Sequence, residues 1–193
     1  MTPQLIASTD NRVIIGLGET GLSCARFLHA QGSAFSVVDT RAAPPGLDLR
    51  REMPGVRVYG GEVAAGILST ASEVVVSPGI ALDDPLVVLA REAGAKVVGD
   101  IDLFMREAQA PVVGITGSNA KSTVTSMLGQ MAREAGLDTG VGGNLGTPAL
   151  ALLAPERELY VLELSSFQLE RAGVLGLTVA TVLNVTADHL DRH

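Results

Sequence analysis

Residues 112–123 read VVGITGSNAKST: a β-branched run, a short glycine turn, then Lys121-Ser122-Thr123 where a helix would begin. In such a segment the backbone N–H groups of a tight turn and of a helix N-terminus converge on one point. The helix dipole favours negative charge there, and an ammonium and a hydroxyl complete a seat for a nucleoside triphosphate and its Mg²⁺. Chemistry driven by ATP is therefore expected, with Gly117, Ser118, Asn119, Ala120, Lys121, Ser122 and Thr123 as the ATP-contacting residues. The spacing departs from the common G-x-x-x-x-G-K pattern: Ile115 and Ala120 occupy its glycine positions, and the glycines stand at 114 and 117. On this segment alone, a polar strand-to-helix turn with a solvated lysine is the competing reading.

A second phosphate-type turn lies about 100 residues earlier. Gly16-Leu17-Gly18-Glu19-Thr20-Gly21 is a full G-x-G-x-x-G between an apolar run and a helical stretch, and Asp39 follows Gly21 by 18 positions. That is where a dinucleotide fold places the acid that meets a ribose hydroxyl. Taken alone it indicates an NAD-dependent oxidoreductase, although the same geometry suits any diphosphate set against a helix N-terminus. Glycines retained for close packing and an Asp39 that forms a turn are the plainer alternatives.

The elements that must position these turns alternate along the chain. Apolar runs at 13–17, 35–38, 74–76, 112–115, 159–164 and 179–184 suit buried parallel strands, which need no polar face. Helix-like stretches occupy 21–31, 85–93, 100–109, 121–135 and 147–153. The pattern predicts an α/β chain of doubly wound parallel sheets with helices on both faces. Ala108-Gln109-Ala110-Pro111, where proline blocks a helix, suggests a boundary between a Rossmann-like domain at 1–109 and a P-loop-type α/β domain at 110–193.

Composition narrows the class further. With 193 residues, 47% hydrophobic, the chain can bury a sizeable core. Fourteen Lys and Arg against 21 Asp and Glu give a net charge of −7, and aromatics are only 3%, so a nucleic-acid partner is not expected. Cys24 lies between Leu22 and Phe27 on an apolar helix, which predicts a buried, inert thiol. No basic-then-apolar leader opens the chain and no apolar run approaches a membrane span, so a cytoplasmic protein with no membrane partner is expected.

Asp39-Thr40-Arg41, Ser77-Pro78-Gly79-Ile80, Gly99-Asp100-Ile101, Gly142-Gly143-Asn144, Glu163-Leu164-Ser165-Ser166-Phe167-Gln168 and Asn184 to Asp191, together with G-S-N-A-K-S-T, stand in the order and spacing of one family. The chain resembles the N-terminal domain and part of the central domain of the Mur ligases, over essentially its whole length. The D-T-R, S-P-G-I and G-D-I-D-L-F segments point to the member that adds D-glutamate.

The resemblance implies that the first unit holds the UDP of UDP-N-acetylmuramoyl-L-alanine and not NAD. Gly18, Thr20 and Gly21 would meet the diphosphate, Asp39, Thr40 and Arg41 would border uracil and ribose, and Ser77, Pro78 and Gly79 would close the pocket. Glu19 stands where the family often has an apolar residue. In the second unit ATP would phosphorylate the substrate carboxylate and the amine of D-glutamate would displace the phosphate. Lys121, Asn144 and His189 carry the catalytic expectation, with Ser122, Glu163 and His189 as Mg²⁺ ligands. Within the substrate site, Asn144 and Ser165 would orient the muramoyl substrate and Gln168 would support them.

Two of these residues also have readings of their own. A carboxylate inside LYVLELSSF is costly to bury without a cation, which favours a metal ligand at Glu163 over a solvated charge. His189, beside Asp188 and Asp191, could be structural instead. The resemblance further implies a longer protein, with most of the D-glutamate site and a carbamylated lysine beyond His193. The 193 residues alone are expected to be inactive, with an apolar strand edge near 179–185. A non-catalytic UDP-sugar-binding module is the remaining alternative.

Overall fold

In the computed structural model, which describes residues 11–41, 43–60 and 63–187, the chain divides into two units, Met1–Val98 and Gly99–His193. In the first unit β1 (Arg12–Ile15), β2 (Phe35–Val38), β3 (Arg57–Tyr59), β4 (Glu73–Val76) and β5 (Lys96–Val98) form one parallel sheet in the order β3-β2-β1-β4-β5. The register sets Ile15 beside both Val38 and Val76, so the three central strands end level with one another. Valine and isoleucine on both faces of these strands are excluded from water: Val13, Ile15, Val74 and Val76 on one side, Ile14, Val37 and Val75 on the other. This is the pattern that layers of helix on both faces require.

α1 (Glu19–Ala30) packs on β1, β2 and β4, with Cys24, Ala25 and Leu28 buried, and the thiol is 1% exposed, as expected. α3 (Val63–Leu68) lies against α4 (Pro85–Glu92), while α2 (Leu49–Glu52) is a single turn. The start of α4 shows how sequence sets an element boundary. Pro85 needs no helical acceptor in the first turn, and the Asp84 carboxylate accepts from the Leu86 N–H at 2.9 Å.

The strand order reverses between β1 and β4, which opens a crevice at their carboxyl ends. Ser77 Oγ donates to Gly16 O across it at 2.9 Å. Asp39, at the end of β2, is 4% exposed and its carboxylate is turned inward. Oδ2 accepts from Leu17 N–H at 2.7 Å and from Arg41 Nη2 at 2.6 Å, and Oδ1 accepts from Arg41 N and Nε, each at 2.9 Å. The glycine turn is thereby tied to the neighbouring strand end.

In the second unit α5 (Asp100–Glu107) precedes a parallel sheet of β6 (Val112–Thr116), β7 (Thr139–Gly143), β8 (Leu159–Glu163) and β9 (Val179–Val182), ordered β7-β8-β6-β9. α6 (Lys121–Glu134) follows β6 and packs on β6, β7 and β8. A 3-10 turn spans Ala149–Leu152 in place of the expected helix at 147–153, and α7 (Ser166–Arg171) follows β8. β9 lies at an edge, with Val179 and Val182 more than half exposed.

The division falls at Val98/Gly99, before the expected boundary at 109/110, because α5 packs on the second unit. Phe104 meets Tyr160 edge to face at 5.0 Å, and Gln168 Nε2 donates to the buried Asp100 Oδ2 at 2.8 Å. The proline follows the end of α5 at Glu107.

Two predictions follow from the first unit. A Cβ at Gly21 would lie 1.9 Å from the Gly16 carbonyl oxygen, whereas a Cβ at Gly18 would meet nothing within 4 Å. Chemical denaturation is expected to find Gly21→Ala destabilised by at least about 3 kcal/mol and Gly18→Ala within about 1 kcal/mol of the parent. Asp39 supplies the second. Burial opposes its ionisation, but the hydrogen bonds from Arg41 and Leu17 outweigh burial and lower its pKa to about 2. A lowered carboxyl pKa stabilises the fold above the unfolded-state value and is lost as pH falls through the folded one. Asp39→Asn should therefore cost about 2 kcal/mol at neutral pH, a difference that shrinks between about pH 4 and pH 2 in urea titrations.

Candidate functional site

In the second unit three strand ends meet at one level: Glu163 of β8 pairs in register with Ile115 of β6 and with Gly143 of β7. Glu163 is 3% exposed. Its Oε2 accepts from Ser122 Oγ at 2.7 Å, and its Oε1 accepts from Asn144 Nδ2 at 2.8 Å. Among the described residues it forms no ion pair. A buried carboxylate satisfied only by two neutral donors is a hard-oxygen centre able to accept a cation.

The turn from β6 to α6 borders this centre. Ala120 has φ of +65°, the only positive φ outside glycine among the described residues. It thus adopts the left-handed conformation that glycine supplies in the commoner loop, and the turn delivers Lys121 to the first position of α6. Lys121 Nζ donates to Gly117 O at 2.6 Å and to Ser118 O at 3.2 Å, leaving one of its three N–H bonds. The N–H groups of the first helical turn have no intrahelical acceptor and point out of the helix start. Ser122 and Thr123 are exposed on that turn.

A cavity of about 470 Å³ opens here, lined by Gly117, Ser118, Lys121, Asn144, Ser165 and Asn184 among others. Ser165 caps α7: its Oγ accepts from Gln168 N at 3.2 Å, and its own N–H donates to Gln168 Oε1 at 3.1 Å. Gln168 is 3% exposed, with its amide oxygen accepting from Ser165 and its Nε2 donating to Asp100. It lies beneath the site and holds Ser165, the supporting place expected of it. Asp100 is pushed above the usual carboxylate range, chiefly by burial, against the opposing Gln168 hydrogen bond and the charge of Arg171.

The expected residues therefore gather unequally. Lys121, Ser122, Asn144, Glu163 and Ser165 come together. His189, with Asp188 and Asp191, lies outside the described residues. Asn184, which lines the cavity and bonds the phosphate loop, was singled out only as part of a motif. Its signal in the sequence is no more than its place at the end of the apolar run 179–184.

In the first unit Gly18 and Thr20 are half-buried at the start of α1, and Gly21 is buried beneath them. Ser77 and Pro78 are half-buried, while Thr40, Arg41 and Gly79 are exposed. The Asp39 carboxylate, with four donors on its two oxygens, has no capacity left for a ribose hydroxyl. The feature that most strongly suggested NAD is thus a structural tie.

Sequence comparisons match each unit separately. Residues 10–99 match the Mur ligase MurD-like N-terminal domain, and residues 115–193 match the Mur ligase middle domain. The chain is 55% identical over 194 aligned residues to the UDP-N-acetylmuramoylalanine–D-glutamate ligase of Pseudomonas putida, covering all of this chain and 43% of the relative. It is 56% identical to that of Pseudomonas aeruginosa, covering 98% of this chain and 42% of the relative, and 52% identical to that of Marinobacter nauticus. It spans less than half the length of these curated relatives. A crystal structure of the UDP-N-acetylmuramate:L-alanyl-gamma-D-glutamyl-meso-diaminopimelate ligase from Neisseria meningitides shares the fold, with a TM-score of 0.59, 21% identity, and coverage of 95% of this chain and 63% of that one. With both of its units matched by successive domains of one enzyme family, the chain belongs to the Mur ligases.

Proposed function

We propose that the protein to which this chain belongs joins D-glutamate to UDP-N-acetylmuramoyl-L-alanine at the expense of ATP, in the cytoplasmic synthesis of peptidoglycan precursors. The observation that carries this reading is the Ser122–Glu163–Asn144 hydrogen-bonded cluster beside Lys121 at the carboxyl end of one parallel sheet. The relatives' shared name supports the choice of amino acid.

The reaction needs an activated carboxylate. Transfer of the γ-phosphoryl of ATP to the muramoyl-alanine carboxylate makes an acyl phosphate, and the amine of D-glutamate displaces phosphate to form the amide. Two anions must approach each other, so positioning and charge compensation supply most of the rate enhancement. Lys121 is poised for this: two N–H bonds fix it to the loop carbonyls and the third is free to meet a phosphate oxygen. The helix-start N–H groups add a second set of donors.

Ser122 Oγ and Glu163 Oε2 form an oxygen-only donor pair of the kind that holds Mg²⁺ together with nucleotide phosphates. Mg²⁺ there would offset the phosphate charge. His189 is the proposed ligand of a second Mg²⁺. Asn144, now bonded to Glu163, and Ser165 at the cavity wall are placed to orient the substrate. In the first unit the diphosphate is proposed to lie over Gly18 and Thr20, with Thr40, the exposed Arg41 and the Ser77–Gly79 turn around the nucleoside.

Calorimetry on the 193-residue chain tests the first-unit reading. Binding of UDP-N-acetylmuramoyl-L-alanine and none of NADH is expected, and the reverse preference would overturn the assignment. Kinetics of the full-length enzyme test the second. Lys121→Ala should lower kcat by about 10²–10³ while leaving KM for the muramoyl substrate nearly unchanged. Near-normal turnover would reduce the loop to a structural turn. Ala120→Gly relieves a left-handed alanine, so activity should stay within roughly tenfold and stability should rise by about 0.5 kcal/mol, net of the greater freedom of glycine when unfolded.

A further inference from the structure

The phosphate loop is bonded to the segment that follows β9 more than to anything else. Ser118 N–H donates to Asn184 O at 3.0 Å. Asn119 N–H donates to Asn184 Oδ1 at 2.8 Å, and Asn184 Nδ2 donates back to Asn119 O at 3.1 Å. Two residues further on, Thr186 N–H donates to Ser118 Oγ at 2.9 Å, and that hydroxyl faces Thr186 O at 3.3 Å. The approach is close: a Cβ at Gly117 would lie 3.1 Å from both the N and the O of Asn184, so a larger residue at 117 would push the two segments apart.

The Asn184 side chain fits this role by its chemistry. A primary amide presents one acceptor and one donor side by side, matching the donor and acceptor of the Asn119 backbone. Aspartate lacks the donor and would oppose its charge to the Asn119 carbonyl. Alanine lacks both groups. The Ser118 and Asn119 N–H groups, which the sequence assigns to phosphate, are therefore already committed. What remains directed at the cavity is the helix side of the turn, from Ala120 to Thr123, and the Lys121 ammonium.

We infer that Asn184 is a positioning residue for the nucleotide site: its two-point pairing with Asn119 holds the turn so that Lys121 and the first turn of α6 face the incoming phosphates. The inference rests on the reading of residues 117–123 as the ATP seat. Asn184 acts through the loop, and the Ser118 and Asn119 N–H groups keep their partners when nucleotide binds.

The test uses the full-length enzyme. Asn184→Ala should raise KM for ATP by about 5–30-fold, the loss of one to two partly solvated hydrogen bonds. KM for the muramoyl substrate should stay within twofold. Hydrogen exchange supplies a readout on the unmutated protein: the Ser118 and Asn119 amides should be protected without nucleotide and remain so with Mg-ATP. In Asn184→Ala the Asn119 amide should exchange faster, while in Asn184→Asp, which keeps the acceptor, its protection should persist.

Unprotected Ser118 and Asn119 amides in the parent enzyme would overturn the inference, whether or not the variants fold. So would an unchanged KM for ATP in a folded Asn184→Ala variant whose Lys121→Ala counterpart is inactive. If Lys121→Ala is itself fully active, the ATP-site reading fails, which is a separate outcome from failure of the clamp.

Discussion

Everything at the candidate ATP site depends on burying one anion. Glu163 ends a strand whose other residues are valine, leucine and tyrosine, and it sits at 3% exposure with only hydroxyl and amide hydrogens around its oxygens. Leaving a carboxylate so poorly compensated costs several kcal/mol unless its lone pairs are met. Ser122 and Asn144 each meet one of its oxygens, and in doing so draw the start of α6 and the end of β7 to the same point. The parallel sheet makes this possible, because parallel strands bring all their carboxyl ends, and the turns that follow them, to one side.

The same economy governs the turn beside it. A phosphate seat needs N–H groups free of protein acceptors, yet a loop with all its groups unpaired would not hold a shape. Here the work is divided. The Ser118 and Asn119 groups fix the turn to the segment after β9, Lys121 ties the near side through two loop carbonyls, and the helix start stays open. The left-handed Ala120 is where the chain passes from one regime to the other.

Much of this arrangement was legible in the sequence, and what was not has identifiable causes. Long β-branched runs announced β1, β2, β4, β6, β8 and β9 because strands covered on both faces need no polar alternation. β3 and β5 escaped notice because they are three-residue strands that open on the charged Arg57 and Lys96, and β7 because Thr-Gly-Val-Gly-Gly reads as a turn until β8 supplies its ladder partner. Lys121, Ser122, Asn144 and Glu163 were found as separate residues, but their contact was not, since pairings across 19 and 41 positions leave no local trace. The grip of Asn184 on the loop leaves no local trace for a related reason, as a comparison with Gln168 shows. Both are amides in polar stretches, and only the three-dimensional environment says which faces inward and which grips the loop.

The saturated carboxylate of Asp39 bears on how this scaffold could be re-engineered or could diverge. In dinucleotide-binding proteins the acid at the end of the second strand contacts the ribose directly, so exchanging it is a natural way to alter cofactor choice. Here that position is spent on holding Leu17 and Arg41, and a substitution would loosen the glycine turn before it changed any ligand preference. Arg41 shares that constraint, since its Nε and Nη2 supply two of the four donors to Asp39, which leaves the exposed Thr40 as the neighbour whose side chain can vary without unpairing the acid. A library aimed at new ligands for this unit would do better to randomise Thr40 and leave the Asp39–Arg41 pair alone.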